Sequence, residues 1–294
     1  MKKYFALIAV SATLLTACGS SIDSAAIEIT KPTINTEIFV GDELTIPVEV
    51  NVINGEQYEV FVSLQRFENG KWKNLTELKA VTAPVNTNFE YSVEDDGDFK
   101  YRVAVWDSTE AEQPLSFSSE TNVTSYDVAL LRNQISEAYI NYLDVDTTYW
   151  EALDSCYSLP GTKGNTDTFK ECYPAVRRTL TNYIDAGWTA GEVLGEIKVP
   201  EEIAKSLDDF VGSIETASNE YQYVLDSFCH SRADEYAYID DLYACVNTLD
   251  SKGKAAYRRI DVAFNIEEKS RDALGRFFES YGLEPDIREE QTSA

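Results

Sequence analysis

The chain reads as two domains, an all-β sandwich followed by an all-α helical bundle. Three observations predict this. Between Leu44 and Phe117, apolar and polar residues alternate with a period of two, punctuated by Asn-Gly and Asp-Gly turn signals. From Leu131 onward the apolar residues step by three and four, the helical period. Four cysteines, Cys156, Cys172, Cys229 and Cys245, all fall in that second stretch. Residues 26–120 are read as the sandwich, 121–284 as the bundle and 285–294 as a charged, disordered tail.

The strands come first. Ala26 to Thr30 alternates and stops at Pro32. Leu44, Ile46, Val48, Val50 and Val52 share one face of a half-buried strand, and Val60, Val62 and Leu64 form the next. Glu68-Asn69-Gly70-Lys71 is a tight turn that sets Phe67 and Trp72 on either side of a hairpin. Phe89, Tyr91 and Val93 alternate again. Asp95-Asp96-Gly97 then turns the chain into Phe99, Tyr101, Val103 and Val105, and Leu115 and Phe117 begin a last strand.

The helices follow. A long amphipathic segment over 125–157 carries Leu131, Ile135, Ala138, Tyr142, Tyr149 and Cys156, and Leu159-Pro160-Gly161 ends it. A second helix carries Phe169, Cys172, Val176, Leu180 and Tyr183. Pro174 kinks it or marks its start, and Ala186-Gly187 is its expected end. Pro200-Glu201-Glu202 opens a third, with Ile203, Leu207, Phe210, Ile214, Ala217, Tyr221, Val224 and Phe228 on one stripe. Ser231 is the expected cap of a fourth helix running to Leu249. The last carries Tyr257, Ile260, Phe264, Leu274 and Phe277 and ends at Gly282.

Disulfides are the expected state of the cysteines, because their count is even and Lys2-Lys3 followed by an apolar run of about a dozen residues reads as an export signal. Cys156–Cys172 encloses the Pro160-Gly161 turn, and closing that loop contributes about 3 kcal/mol in the chain-entropy picture. The second pair is harder. A straight helix over 232–249 puts Cys245 about 20 Å from its start, whereas bonded Cα atoms lie within about 7 Å. Either 230–241 bends back, or the pairing crosses between hairpins; elimination favours Cys229–Cys245.

The formal charge is −26. Residues 18–120 carry 19 acids against 7 bases, and residues 121–294 carry 32 against 16. So acidic a chain repels nucleic acid and anionic lipid surfaces. No nucleophile-elbow or phosphate-cradling glycine pattern occurs. The lone histidine, His230, is expected in a surface turn, and no cysteine spacing suits a metal. Asp95, Asp96 and Asp98 are a weak calcium candidate without the full calcium loop. The chain is therefore read as non-enzymatic and free of cofactors. Trp72 beside its hairpin, and Tyr221, Tyr236 and Tyr238 in the helical half, are the candidate contact residues.

Two resemblances add to this. Lys2-Lys3, a short apolar run and Leu15-Thr16-Ala17-Cys18 resemble the signal and lipobox of bacterial lipoproteins. The resemblance implies removal of residues 1–17, diacylglycerol and a further acyl chain (palmitate) on Cys18, and a tether over 18–25. Gly19-Ser20 lacks the aspartate that retains such proteins at the inner membrane, so the outer membrane is the expected address. Asp95 to Val103 resembles the corner before strand F of immunoglobulin-like and fibronectin-III-like domains. Phe99 stands at the corner-tyrosine position, so its hydroxyl bond is missing. The resulting expectation is a lipid-anchored envelope protein whose helical head binds a protein or glycan partner. Alternatives are a periplasmic structural, envelope-maintenance or exclusion lipoprotein and, third, an envelope hydrolase.

Overall fold

The computed structural model describes residues 27–30, 36–53, 55–158, 166–236 and 239–288. Cys18 with its expected lipobox and tether, residues 159–165 where a turn is expected, Tyr238 and residues 289–294 lie outside the described residues. The chain forms two compact units. One holds residues up to Val93 together with Asp98–Thr124; the other holds Glu94–Gly97 and everything from Ser125.

The N-terminal unit is built of antiparallel sheets. Its strands are β1 (Ile27–Ile29), β2 (Glu37–Phe39), β3 (Glu43–Val52), β4 (Tyr58–Glu68), β5 (Lys71–Asn74), β6 (Lys79–Ala83), β7 (Val85–Ser92), β8 (Gly97–Trp106), β9 (Ser116–Phe117) and β10 (Thr121–Tyr126). One sheet runs β1-β3-β7. The other runs β2-β10-β8-β4-β5, with β6 on β4 and β9 on β8. The period of two sets the core. Leu44, Ile46, Val48 and Val50 of β3 point inward opposite Val60, Val62, Leu64, Val103 and Val105 of the second sheet. Asn69 (φ 50°) and Gly70 (φ 80°) both adopt positive φ, the two-residue loop that matches strand twist, and place Phe67 directly across from Trp72.

The boundary between the units lies later than the sequence suggests. Residues 121–126 form β10 with Thr121, Val123 and Ser125 inward, a period-two pattern too short to stand out before the helix. Helix α1 (Val128–Ser158) starts two residues on. Asp127 caps it, its carboxylate accepting from the amides of Ala129 (2.9 Å) and Leu130 (3.0 Å).

The C-terminal unit continues with α2 (Thr166–Gly195), α3 (Glu201–Leu225), α4 (Phe228–Ser231), a 3-10 turn (Ala233–Glu235), α5 (Ile239–Thr248) and α6 (Ser251–Ser280). Helix α2 packs between α1 and α3, and α3 lies along α6. Among the described residues no helix is long and apolar enough to cross a membrane.

Helix α2 does not stop at Gly187. It passes through Gly187 and Gly191, which lie against α3: an added Cβ would sit 2.0 Å from Ser218 Oγ at the first and 2.7 Å from Glu215 Cγ at the second. These glycines permit close helix approach rather than ending the helix. The expected fourth helix from Ser231 is also replaced, by α4, the 3-10 turn and α5.

The tail expectation is corrected for residues 285–288. Arg132, fully buried on α1, donates from Nε to the carbonyl of Glu284 (2.6 Å) and from Nη2 to that of Asp286 (2.9 Å). Ser136 Oγ donates to the Ile287 carbonyl (2.5 Å), and Ile287 is buried. Gly275 makes room for this strap, because a Cβ there would lie 2.5 Å from the Pro285 carbonyl oxygen. Gly275→Ala is therefore expected to lower unfolding stability in urea by roughly 1–3 kcal/mol, an overpacking cost. Gly212→Ala on α3, where a Cβ meets nothing within 4 Å, is expected to raise it by about 0.5–1 kcal/mol through helix propensity.

Candidate functional site

The helical unit buries tyrosines where a bundle ordinarily buries aliphatic residues. Tyr139, Tyr142 and Tyr149 occupy inward positions of α1, Tyr173 and Tyr183 of α2, and Tyr221 of α3. Tyr183 stacks on Tyr142 (5.2 Å between centroids) and on Tyr149 (5.8 Å), and meets Tyr221 edge-on (5.5 Å). The hydroxyls of Tyr142 and Tyr183 bond each other. Burial pushes the ionisation of both, and of Tyr149, Tyr221 and Tyr257, far above the ordinary phenol range.

Two further buried groups complete this interior. Tyr139 donates to Glu267 Oε1 (2.5 Å), and Arg271 Nη1 donates to the Tyr139 hydroxyl (3.2 Å). Burial raises the Glu267 carboxyl, although the Tyr139 bond and Arg271 oppose that shift. His230 is buried rather than in an exposed turn. Its Nδ1 lies 2.9 Å from the Tyr173 hydroxyl and its Nε2 3.1 Å from that of Tyr257. A neutral imidazole has one donor and one acceptor nitrogen, so one hydroxyl donates to the ring and the other accepts from it. Burial first, and the Arg177 charge second, push the His230 pKa down to about 4. The cavity beside it, lined by Tyr149, Tyr173, Tyr243 and Tyr257, measures about 20 Å³. That is room for a single water, not a substrate.

Both disulfides are closed, Cys156–Cys172 with Cα atoms 5.4 Å apart and Cys229–Cys245 with 5.8 Å. The second is reached by a bend. Helix α4 lasts four residues, the 3-10 turn follows, and Tyr236 is extended (φ −85°, ψ 139°), which returns the chain so that α5 brings Cys245 to Cys229.

Above this bend the surface opens into a depression of about 500 Å³ lined by Asn219, Gln222, Tyr223, Asp226, Phe228 and Lys252. Phe228 is 54% exposed and Tyr223 41%. Trp188, also exposed, donates from Nε1 to Asn219 Oδ1 (3.1 Å), and Gln222 donates to Asp226 (2.7 Å). Large aromatic surface beside oriented amides and carboxylates is the combination of groups that binding surfaces use.

The sequence-derived residues fall differently. Tyr221 is a core residue, 4% exposed: it lies on the same α3 stripe as Ile214, Ala217 and Val224, so 3.6-residue geometry turns it inward and Tyr223 outward. Phe228 leaves that stripe because α3 ends at Leu225. Tyr236 is half-buried on the bend. Trp72 is half-buried too, with the Arg102 guanidinium 4.2 Å from its ring and Phe67 5.3 Å away. Asp95, Asp96 and Asp98 do not converge: among the described residues no three His, Cys, Asp or Glu side chains are placed to hold a metal ion. Asp98 instead accepts from Thr124 Oγ1 (2.8 Å). Phe228, expected on the buried α3 stripe, is exposed, and His230, expected in a surface turn, is buried; Asp226-Ser227 marks the break that turns Phe228 outward, and Trp188 carries no distinguishing signal in the sequence.

His230 binds no proton in the fold until the pH nears 4, while the unfolded imidazole binds one near 6.5. Its contribution is therefore present above 6.5 and lost as pH falls through that window. The stability difference between the wild type and His230→Asn is expected to shrink by roughly 3 kcal/mol from pH 7 to pH 4. Because the chain has one histidine, NMR of the imidazole reads its midpoint directly; a midpoint near 6.5 contradicts the buried environment.

No family model matches the chain, and no curated protein matches it. Among solved structures, a CARDB domain from Pyrococcus furiosus, crystallised in complex with di-metal ions, aligns over 34% of this chain and 91% of its own, at 13% identity and a TM-score of 0.26. A β-glucosidase from Listeria innocua in complex with glucose aligns over 34% of this chain and 16% of its own, at 19% identity and a TM-score of 0.24. The native conformation of E. coli alpha-2-macroglobulin aligns over 90% of this chain and 24% of its own, at 11% identity and a TM-score of 0.24.

Proposed function

We propose that this is a lipid-anchored protein of the bacterial cell envelope that acts as a non-catalytic binding or adhesion module. Leu15-Thr16-Ala17-Cys18 supports the anchor, with lipid on Cys18, and Gly19-Ser20 favours the outer membrane. The β-unit is read as an immunoglobulin-like spacer, a reading supported by its two sheets around one core. The helical unit is the head, and its partner is a protein or glycan.

The observation that carries the binding role is the pairing of exposed Tyr223 and Phe228 with a disulfide-closed base. Exposed aromatic residues held on a rigid support lose little conformational entropy on contact, which is what binding hot spots require. The interior points the same way: the buried hydroxyls of Tyr142, Tyr173, Tyr183 and Tyr257 are engaged with one another or with His230. They brace the bundle rather than face a cleft.

Two measurements test this. Cys18→Ser is expected to move the protein from the membrane fraction to the soluble fraction, since two or three acyl chains at about 0.8 kcal/mol per buried CH₂ carry the attachment. Protease shaving of intact cells is expected to release peptides of the helical unit. Release only after the outer layer is opened contradicts the adhesion role and favours the periplasmic one.

A further inference from the structure

The β-unit carries a row of planar groups on the outer face of its larger sheet. Phe67 on β4 pairs across the hairpin with Trp72 on β5. Arg102 on β8 lies over both neighbouring rings, its Cζ 4.2 Å from the Trp72 centroid and 4.0 Å from that of Phe117 on β9. Arg102 Nε donates to Gln65 Oε1 (2.8 Å). Gln65 Nε2 donates to Asn74 Oδ1 (2.8 Å), as does Ser63 Oγ (3.2 Å), and Trp106 Nε1 donates to Ser63 Oγ (3.1 Å). This chain of bonds fixes each amide, and it holds the guanidinium between the two rings.

The charge on Arg102 is the unusual part. Burial lowers its basicity, and the acid that acts on it is Glu120, which itself pairs with Lys100 at 3.7 Å. Among the described residues no carboxylate lies within ion-pair distance of Arg102. Its neighbours differ: Arg66 and Lys73 are both tied to Glu68. In a domain of 19 acids and 7 bases, a held and unpaired cation is a local exception to the prevailing charge.

We propose that this face binds a saccharide bearing a single carboxylate, with Arg102 reading the charge. Three features select that ligand. Among the described residues the Nη atoms of Arg102 and Nδ2 of Asn74 have no hydrogen-bond partner on this face, and both are donors, which match a carboxylate and hydroxyl oxygens. Phe67, 41% exposed at the end of the row, offers its ring to the C–H face of a sugar, while Trp72 and Phe117 hold Arg102 between them. A single negative charge fits because Arg102 is a cation held in place on this face with no carboxylate beside it among the described residues, on an acidic unit that repels a polyanion. An acidic peptide is disfavoured, since β8 lies inside the sheet between β4 and β10 and has no free edge to pair with a strand. Trp72 acts here as a positioning residue, because its ring is covered by Arg102.

The test is calorimetric titration of the full chain with sialyllactose, with lactose, with the methyl ester of sialyllactose, and with a short Glu-containing peptide. Sialyllactose is expected to bind at least tenfold more tightly than lactose or the ester, with affinity falling as salt rises. Arg102→Gln is expected to remove that preference while leaving the melting curve of the helical unit in place. The comparison of acid with ester needs no variant, so it stands if Arg102→Gln misfolds. Equal binding of acid and ester, no binding of either, or tighter binding of the peptide each overturns the proposal.

Discussion

The helical unit depends on one chain reversal, the bend closed by Cys229–Cys245. Without it, His230 does not lie between Tyr173 on α2 and Tyr257 on α6. The bond and the histidine act on opposite states. Closing a loop of about 16 residues removes about 3 kcal/mol of unfolded-chain entropy in the loop model. The imidazole satisfies two buried hydroxyls, each of which costs roughly 1–3 kcal/mol if left alone. The terms are of similar size, so neither is redundant. The covalent link delivers the ring, and the hydrogen bonds select the one packing in which both hydroxyls are paired. The exposed Phe228 is displayed beside the same bend, so the exposed aromatic depression and the buried network share one support.

Much of the architecture was legible because the two hydrophobic periods are clean. Leu44 to Val52 and Val60 to Leu64 admit one strand reading each, and Asn69-Gly70 admits one hairpin. The stripe from Ile203 to Val224 is likewise a single helix face. The failures have physical causes. Gly187 and Gly191 look like breakers, but the signal of a glycine is the same whether it ends a helix or lets a neighbour approach. Only the partner, Ser218 or Glu215, distinguishes the two. Tyr221 and Tyr223 are equivalent in composition, and the helical phase alone separates the core residue from the surface one.

The site was less legible than the fold, for a reason of sequence distance. Arg102 meets Trp72 and Phe117 across three strands, and His230 meets Tyr173 and Tyr257 across three helical elements. No local pattern encodes such meetings. The strap at 284–288 is the same case: its charged composition suggests a free tail, yet its backbone carbonyls are what Arg132 needs. A fully buried arginine must be met by oxygen atoms, and backbone carbonyls meet it without placing a second charge in the core.

That economy of charge extends to the titrating groups inside the bundle, which act in opposite senses. His230 is held neutral, so acidification between pH 6.5 and about 4 works against the fold. Glu267 has its carboxyl raised above 4.5 by burial. Its protonated form is favoured in the fold, so its contribution is full below 4.5 and is lost as pH rises through the raised value. Acid therefore weakens the unit through the histidine and strengthens it through the glutamate. Tyr139 moderates the second effect, because its hydroxyl donates to the carboxylate and Arg271 donates to Tyr139 in turn. Replacing Tyr139 by Phe removes the donor that makes a buried carboxylate tolerable. The glutamate is then driven further toward its neutral form, and the cost of the substitution falls on the alkaline side of the profile, where Glu267 must ionise on unfolding but is held protonated in the fold.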